Sequence, residues 1–384
     1  MKIIKKIIVS ILVCACIFSS MPLMNVMASK VKYSGVSGKI HWKVDSNGTL
    51  TLKGKGEAYR DYNYNGEFIY EWIRYNDEIR KVVVNVSGIT DATSFFKNLK
   101  NVTTMDLQKF DTSKVTDMTD MFYGCQSLTK LNVSTYNTKN VVSMKEMFQN
   151  CKSLKSLDLR SFDTTKVSNM ANMFDGCENL TQVNLSGFDT KNVTSMMRMF
   201  GDCKSLKQLD LSGFNTKNLA GIEGMFANCN KLSTTLTLVK IPSTDKGIFV
   251  DAATTNGAKI TLNYGGEYTL DMVRDLIGVQ TQPSNIVLGK KQNLKLQTIN
   301  VKTVSKSLKQ SALKKKSQKI NLGAKAKTKL TYEIITGGKY ISVSSDGTVS
   351  IKKGAPKGTY HILVKAKATS KYHSAVKHVM IIVK

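Results

Sequence analysis

Residues 162–187 read FDTTKVSNMANMFDGCENLTQVNLSG, and the same pattern returns at intervals of 26 residues, marked by Cys125, Cys151, Cys177, Cys203 and Cys229. Aligned on these cysteines, Val115, Val141, Val167, Val193 and Leu219 form one apolar column, and Met118, Met144, Met170, Met196 and Ile222 form a second. Met-Phe pairs at 121–122, 147–148, 173–174, 199–200 and 225–226 make a third. An earlier unit from about Asn85 carries Leu99 in the cysteine place, so at least six coils are present. Even spacing and an odd number argue against a disulfide framework or a zinc site, which use short paired spacings. Self-similarity at a fixed period is instead the sign of a repeat architecture. In that setting the cysteines and methionines read as core packing.

The two halves of a unit have different periods. Val115, Met118, Phe122 and Cys125 lie at i, i+3, i+7 and i+10, which predicts one stripe of a short α or 3-10 segment. Leu131 and Val133 then alternate as in a strand. A helical turn or two followed by one short strand, repeated, predicts a solenoid in which each coil buries its stripe against its neighbours. The Asp/Asn-Thr pairs opening each unit, at Asp111, Asn137, Asp163, Asp189 and Asn215, are expected to accept backbone N–H bonds at the start of the turn.

The L-x-x-L-x-L strand followed by F-[DN]-T-x-x-V-x-x-M-x-x-M-F-x-x-C, seen as Leu154 to Cys177 and again as Leu180 to Cys203, resembles the BspA-like leucine-rich repeat surface proteins of bacteria. The resemblance spans about residues 35–265. It reaches a hairpin in which Ile40, Trp42 and Val44 alternate, residues 46–48 turn, and Leu50 and Leu52 return. It implies an α/β leucine-rich repeat solenoid with a parallel β-sheet and short helical segments. It also implies a secreted or surface-exposed, adhesin-like protein that carries out no reaction.

Net charge is +28 over 384 residues, with 56 basic against 28 acidic side chains, and it is unevenly placed. Residues 85–232 hold 17 basic and 14 acidic side chains, whereas residues 290–384 hold 22 lysines against Glu333 and Asp346, a net +20. Lys2, Lys5 and Lys6 precede an apolar run from Ile7 to Phe18, and Val26-Met27-Ala28 offers a cleavage site, so residues 1–28 read as a secretory signal peptide. The expected organisation continues with an N-terminal β-hairpin cap at 29–84, the repeat solenoid at 85–232 and a C-terminal cap at 233–280 that includes a closing helix at 271–277. A lysine-rich linker at 281–316 and a small all-β sandwich at 317–384 follow. Its segment from Ser344 to Tyr360 resembles bacterial immunoglobulin-like surface modules.

The chain has no H-E-x-x-H, G-x-S-x-G or phosphate-binding glycine loop, so no catalytic residue, metal or cofactor is expected. Positions between the strand's core residues point outward. Asp106, Asn132, Asp158, Asn184 and Asp210, flanked by Arg160, Gln182 and Gln208, form a small polar surface. This is the candidate ligand face, since solenoids bind along continuous sheets; a solvated surface shaped by solubility fits the same residues. The expected ligand is a host or neighbouring-cell surface macromolecule, protein or glycan, met by a monomer at the bacterial surface. In the tail, Lys314, Lys315, Lys316, Lys352 and Lys353 are candidates for binding an anionic cell-wall polymer. Lysine without arginine lacks the bidentate fork that suits phosphate and base recognition, so nucleic acid is not an expected partner. The alternative is a wall-associated structural spacer or glycan-binding protein whose repeats have no specific ligand.

Overall fold

The computed structural model describes residues 29–62, 66–238, 247–265, 285–291, 299–367, 369, 372 and 375–384. The expected signal segment and the closing helix at 271–277 lie outside these residues. The described chain is mostly β with few helices.

Alternating apolar residues build the N-terminal sheet. Strands β1 (Val31–Ser37), β2 (Ile40–Asp45) and β3 (Thr49–Lys55) are antiparallel neighbours. Gly48 supplies the positive φ of 72° between β2 and β3, and Asp45 Oδ1 accepts the N–H groups of Asn47 and Thr49 at 3.0 and 2.9 Å. A small hairpin, β4 (Arg60–Tyr62) and β5 (Phe68–Tyr70), leads into a 3-10 turn at Glu71–Tyr75. That turn buries Trp72, whose indole N–H donates to the Phe95 carbonyl at 3.1 Å. Strand β6 (Lys81–Ser87) then runs parallel to β3, and β7 (Thr104–Phe110) parallel to β6. The sheet order β1-β2-β3-β6-β7 thus converts an antiparallel hairpin into the first rungs of a parallel stack.

Strands β8 (Ser156–Asp158) and β9 (Gln182–Asn184) pair in parallel, one repeat apart. Strands β10 (Gln208–Leu209), β11 (Ser233–Leu238), β12 (Ile260–Tyr264) and β13 (Ile286–Lys291) form a second parallel sheet in chain order. At 130–134 the backbone is irregular, so Asn132 is not on a strand.

The helical stripe expected in each coil is corrected. Two residues per coil are left-handed: Asp120, Glu146, Asn172, Arg198 and Gly224 at one position, and Gly124, Asn150, Gly176, Asp202 and Asn228 at the other. These conformations interrupt any right-handed helix. Alternate N–H groups consequently leave the coil. Those of Met118, Asp120, Phe122 and Gly124 donate to the carbonyls of Ser143, Lys145, Met147 and Gln149 in the next repeat, at 2.8 to 3.1 Å. Between them, Met121, Tyr123 and Cys125 close turns on the carbonyl three residues back. Isolated parallel bridges from Asp91 through Asp117, Ser143, Asn169 and Ser195 to Gly221 keep the same register.

The apolar columns still point inward. Phe96, Phe122, Phe148, Phe174, Phe200, Phe226 and Phe249 form a continuous stack with ring centroids 5.3 to 5.8 Å apart. Each cysteine is buried and donates its S–H to a phenylalanine carbonyl of the coil before, at 2.8 to 3.2 Å. Burial of one such large apolar side chain stabilises the fold by about 1.5–3 kcal/mol, so each coil depends on its neighbours.

The stretch expected as a lysine-rich linker, 281–316, is partly ordered into elements. It holds β13 and then β14 (Ser305–Leu308) and a helix α1 (Gln310–Lys315) whose Leu313 is fully buried. Leu308 and Leu313, set among the lysines, draw this stretch into the C-terminal core. Strands β15 (Gln318–Asn321), β16 (Leu330–Ile334), β17 (Ile341–Val343), β18 (Thr348–Ile351), β19 (Gly358–Ala366) and β20 (Ala375–Val383) complete the module. Its two sheets, β14-β20-β19-β16 and β15-β18-β17, share one core that includes Ile351, Ile362, Val364, Val379 and Ile381.

Candidate functional site

The period of two along β8, β9 and β10 sends Leu157, Val183 and Leu209 inward and leaves Ser156, Asp158, Gln182, Asn184 and Gln208 outward. These outward side chains floor a cleft of about 1080 Å³. Glu333 on β16 and Lys365 on β19 wall it at one end. Six of the expected ligand-face residues line it: Asp158, Arg160, Gln182, Asn184, Gln208 and Asp210. Asp106 on β7 and Asn132 are exposed elsewhere.

The central column also serves the backbone. Oδ1 of Asp106, Asn132, Asp158, Asn184 and Asp210 accepts the N–H two residues on, from Gln108, Ser134, Arg160, Ser186 and Ser212, at 2.9 to 3.2 Å. Aspartate and asparagine offer the same acceptor, so either closes this turn. Alternating them keeps carboxylates about two strand spacings, roughly 10 Å, apart. The pairs at Asp111, Asn137, Asp163, Asp189 and Asn215 accept backbone N–H groups two residues on in the same way.

Charge gathers where the two parts of the chain meet. The Arg160 guanidinium grips Asp158 through Nε at 2.9 and 3.1 Å and through Nη2 at 2.7 Å. Its Nη1 donates to Glu333, which also takes Lys365 at 2.6 Å. Lys365 Nζ donates to Ser186 Oγ at 3.2 Å. Burial pushes Asp158 upward, but the hydrogen bonds from Arg160 outweigh it and hold the carboxyl below its usual range. Glu333 is pushed up by burial and brought lower still by Lys365 and Arg160. Two acids and two bases thus close into a neutral quartet.

The face expected to be open to solvent is therefore partly covered. On the outer side of β19 and β20, His361, Leu363, His378 and Met380 are 2%, 0%, 3% and 5% exposed, although they lie outside the module's own core. His378 Nε2 stands 2.7 Å from the Gly187 carbonyl, which accepts, so Nε2 carries the proton. Gly187 leaves no room here: a Cβ would meet the Arg160 carbonyl at 2.4 Å and His378 Cε1 at 3.1 Å. Sequence reasoning missed Glu333 and Lys365, which approach Arg160 and Ser186 across more than 170 residues. The available signal was the rarity of Glu333, one of two acids among the last 95 residues.

The tail lysines Lys314, Lys315, Lys316, Lys352 and Lys353 are all exposed. The Gly354 N–H donates to the Leu313 carbonyl at 3.0 Å, which sets the two lysine groups side by side at one end of the module. Among the described residues no group of three or more His, Cys, Asp or Glu side chains is placed to hold a metal, and no helix is long and apolar enough to cross a membrane.

A family model described as "Mycoplasma protein of unknown function, DUF285" matches residues 68–158 and 153–260, together just over half of the chain. The match covers the repeats and supports their leucine-rich repeat reading. No curated protein matches the chain. Among solved structures, a leucine-rich repeat protein from Eubacterium ventriosum is 15% identical, over 69% of this chain and 94% of that one, with a TM-score of 0.23. An internalin-like protein of Listeria monocytogenes is 11% identical, over 88% of this chain and 87% of that one, with a TM-score of 0.25.

Proposed function

From the premise that the chain belongs to the DUF285 family, we propose that it is a non-enzymatic interaction protein of the bacterial surface, whose stacked coils form a leucine-rich repeat solenoid. It is secreted or held at the cell surface, and it binds a macromolecule of a host or neighbouring cell, protein or glycan, in the cleft over β8 to β10. The observation that carries this reading is the cleft itself. Amide and hydroxyl side chains at two-residue spacing line it over successive strands, and its charged end is internally neutral. Such a surface offers hydrogen bonds to an extended polar chain. The C-terminal module, immunoglobulin-like in its strand pattern, holds the protein to an anionic wall polymer through Lys314, Lys315, Lys316, Lys352 and Lys353.

One observation favours the alternative of a spacer without a ligand: every central-column residue already spends an acceptor on its own backbone. Probing arrays of matrix proteins and glycans with the full chain separates the two readings. The cleft reading expects at least one ligand, bound about tenfold or more weakly by a Gln182→Lys/Gln208→Lys variant. Equal binding by the variant, or no ligand at all, favours the spacer. Binding of the full chain to purified cell walls, lost between low and high salt and weakened by Lys-to-Gln changes at 314–316, tests the tail.

A further inference from the structure

We infer that the repeat face and the C-terminal module are partners within one chain, joined by a histidine-lined latch that is closed at neutral pH and opens in acid. The repeat side of the latch is Arg160, Ser186 and Gly187, and the module side is Glu333, Lys365 and His378. His361 and His378 are buried between them, and each leaves one ring nitrogen without a partner: Nε2 of His361 and Nδ1 of His378. A neutral imidazole tolerates this, because an unused lone pair is the smaller loss. A protonated ring places an N–H and a positive charge there with no acceptor, which favours exposure to water.

The facing charges do not rescue the protonated form. From the repeats, Asp163 acts on both rings and Asp189 on His378; from the module, His378 repels a charge on His361 and Lys377 opposes one on His378. Asp163 and Asp189 hold their Oδ1 atoms in backbone turns of their own. Arg160, Glu333 and Lys365 neutralise one another with Asp158. Burial therefore dominates: it lowers His361 to about 4 and His378 in the same direction. Well above pH 6.5 both rings are neutral whether the module is docked or free, and docking has its full strength. As pH falls from there toward 4, the free module binds protons that the docked one excludes, so docking weakens. With His361 at about 4 when docked and no higher than about 6.5 when free, where the His378 repulsion persists, that ring alone weakens docking at most roughly 80-fold at pH 4.5. Asp158 and Glu333 are held below the usual carboxylate range, so by the same linkage any weakening they add comes within the carboxylate range, below the pH at which the histidines begin to act.

That opening uncovers a ligand site rests on the cleft reading above; the latch itself is tested without ligand. Small-angle scattering of the full chain at pH 7.5 and 4.5, with circular dichroism on the same samples, reads it. The latch expects a reversible rise in radius of gyration at pH 4.5 with the β signal retained, and no rise in His361→Gln/His378→Gln, where the amide introduced by the second substitution still donates to the Gly187 carbonyl. An unchanged radius in the native sequence, an expansion accompanied by loss of the β signal, or an equal expansion of the double variant overturns it. If the double variant fails to fold, the native-sequence titration decides: a midpoint between pH 6.5 and 4 supports the latch, and one below 4 contradicts it.

Discussion

In the repeats, five thiols are buried at one per coil, and each donates to a phenylalanine carbonyl of its neighbour. In the C-terminal module, two imidazoles are buried on a docked face, and each is left with an unpartnered nitrogen. Burial disfavours the charged form in both places, but the charged form is the deprotonated thiol in one and the protonated ring in the other. Cys151 is pushed up to about 12, whereas His361 falls to about 4. The stack is thus inert across the ordinary pH range, while the interface is sensitive on its acid side. Sealing a repeat core and making a responsive contact use the same physics with opposite signs.

The largest contrast expected is in thiol reactivity. At pH 8 the five repeat thiols of the native chain should react with a thiol reagent about a thousandfold more slowly than in the unfolded chain, because reaction waits on opening of a coil. Fast reaction of even one repeat cysteine breaks the comparison. Next is Phe174→Ala, which removes a ring stacked 5.6 Å from Phe148 and 5.3 Å from Phe200. It should cost the repeats about 3–5 kcal/mol in urea denaturation, with the module's own transition unmoved. At the interface, Glu333→Gln takes the shared carboxylate from Arg160 and Lys365 and should weaken docking by about 1–2 kcal/mol. The readout is acid opening that begins at higher pH. The smallest effect is at Tyr136, whose hydroxyl is buried without a hydrogen-bond partner where Phe110 and Phe162 stand in the neighbouring coils. Tyr136→Phe should raise stability by about 1 kcal/mol.

The apolar columns and the outward polar column were legible because each recurs five times, so composition noise averages out. The strands at Leu330, Thr348 and Val376 were legible from two-residue alternation between turn signals. The helical stripe misled for a physical reason. Spacing at i, i+3 and i+7 reports which side chains face the core, and a chain of alternating right- and left-handed turns meets the same spacing. The signal against a helix was the Gly124, Asn150, Gly176, Asp202 and Asn228 column, rich in the residues that tolerate positive φ. In the site, Asp158, Arg160, Gln182, Asn184, Gln208 and Asp210 were readable from strand parity. Their cover was not, because docking depends on the shape of two modules and on partners such as Gly187 and His378, 191 residues apart.

Spin labels attached at Lys207→Cys on the repeats and Lys352→Cys on the module, both exposed sites, measure whether the module sits on the repeat face. In a chain starting at Ser29, without Cys14 and Cys16, the buried repeat thiols leave the engineered pair as the reactive ones. A single narrow distance distribution at pH 7.5 that broadens reversibly at pH 4.5 is the expected result. A broad distribution at pH 7.5, as two tethered bodies give, contradicts it.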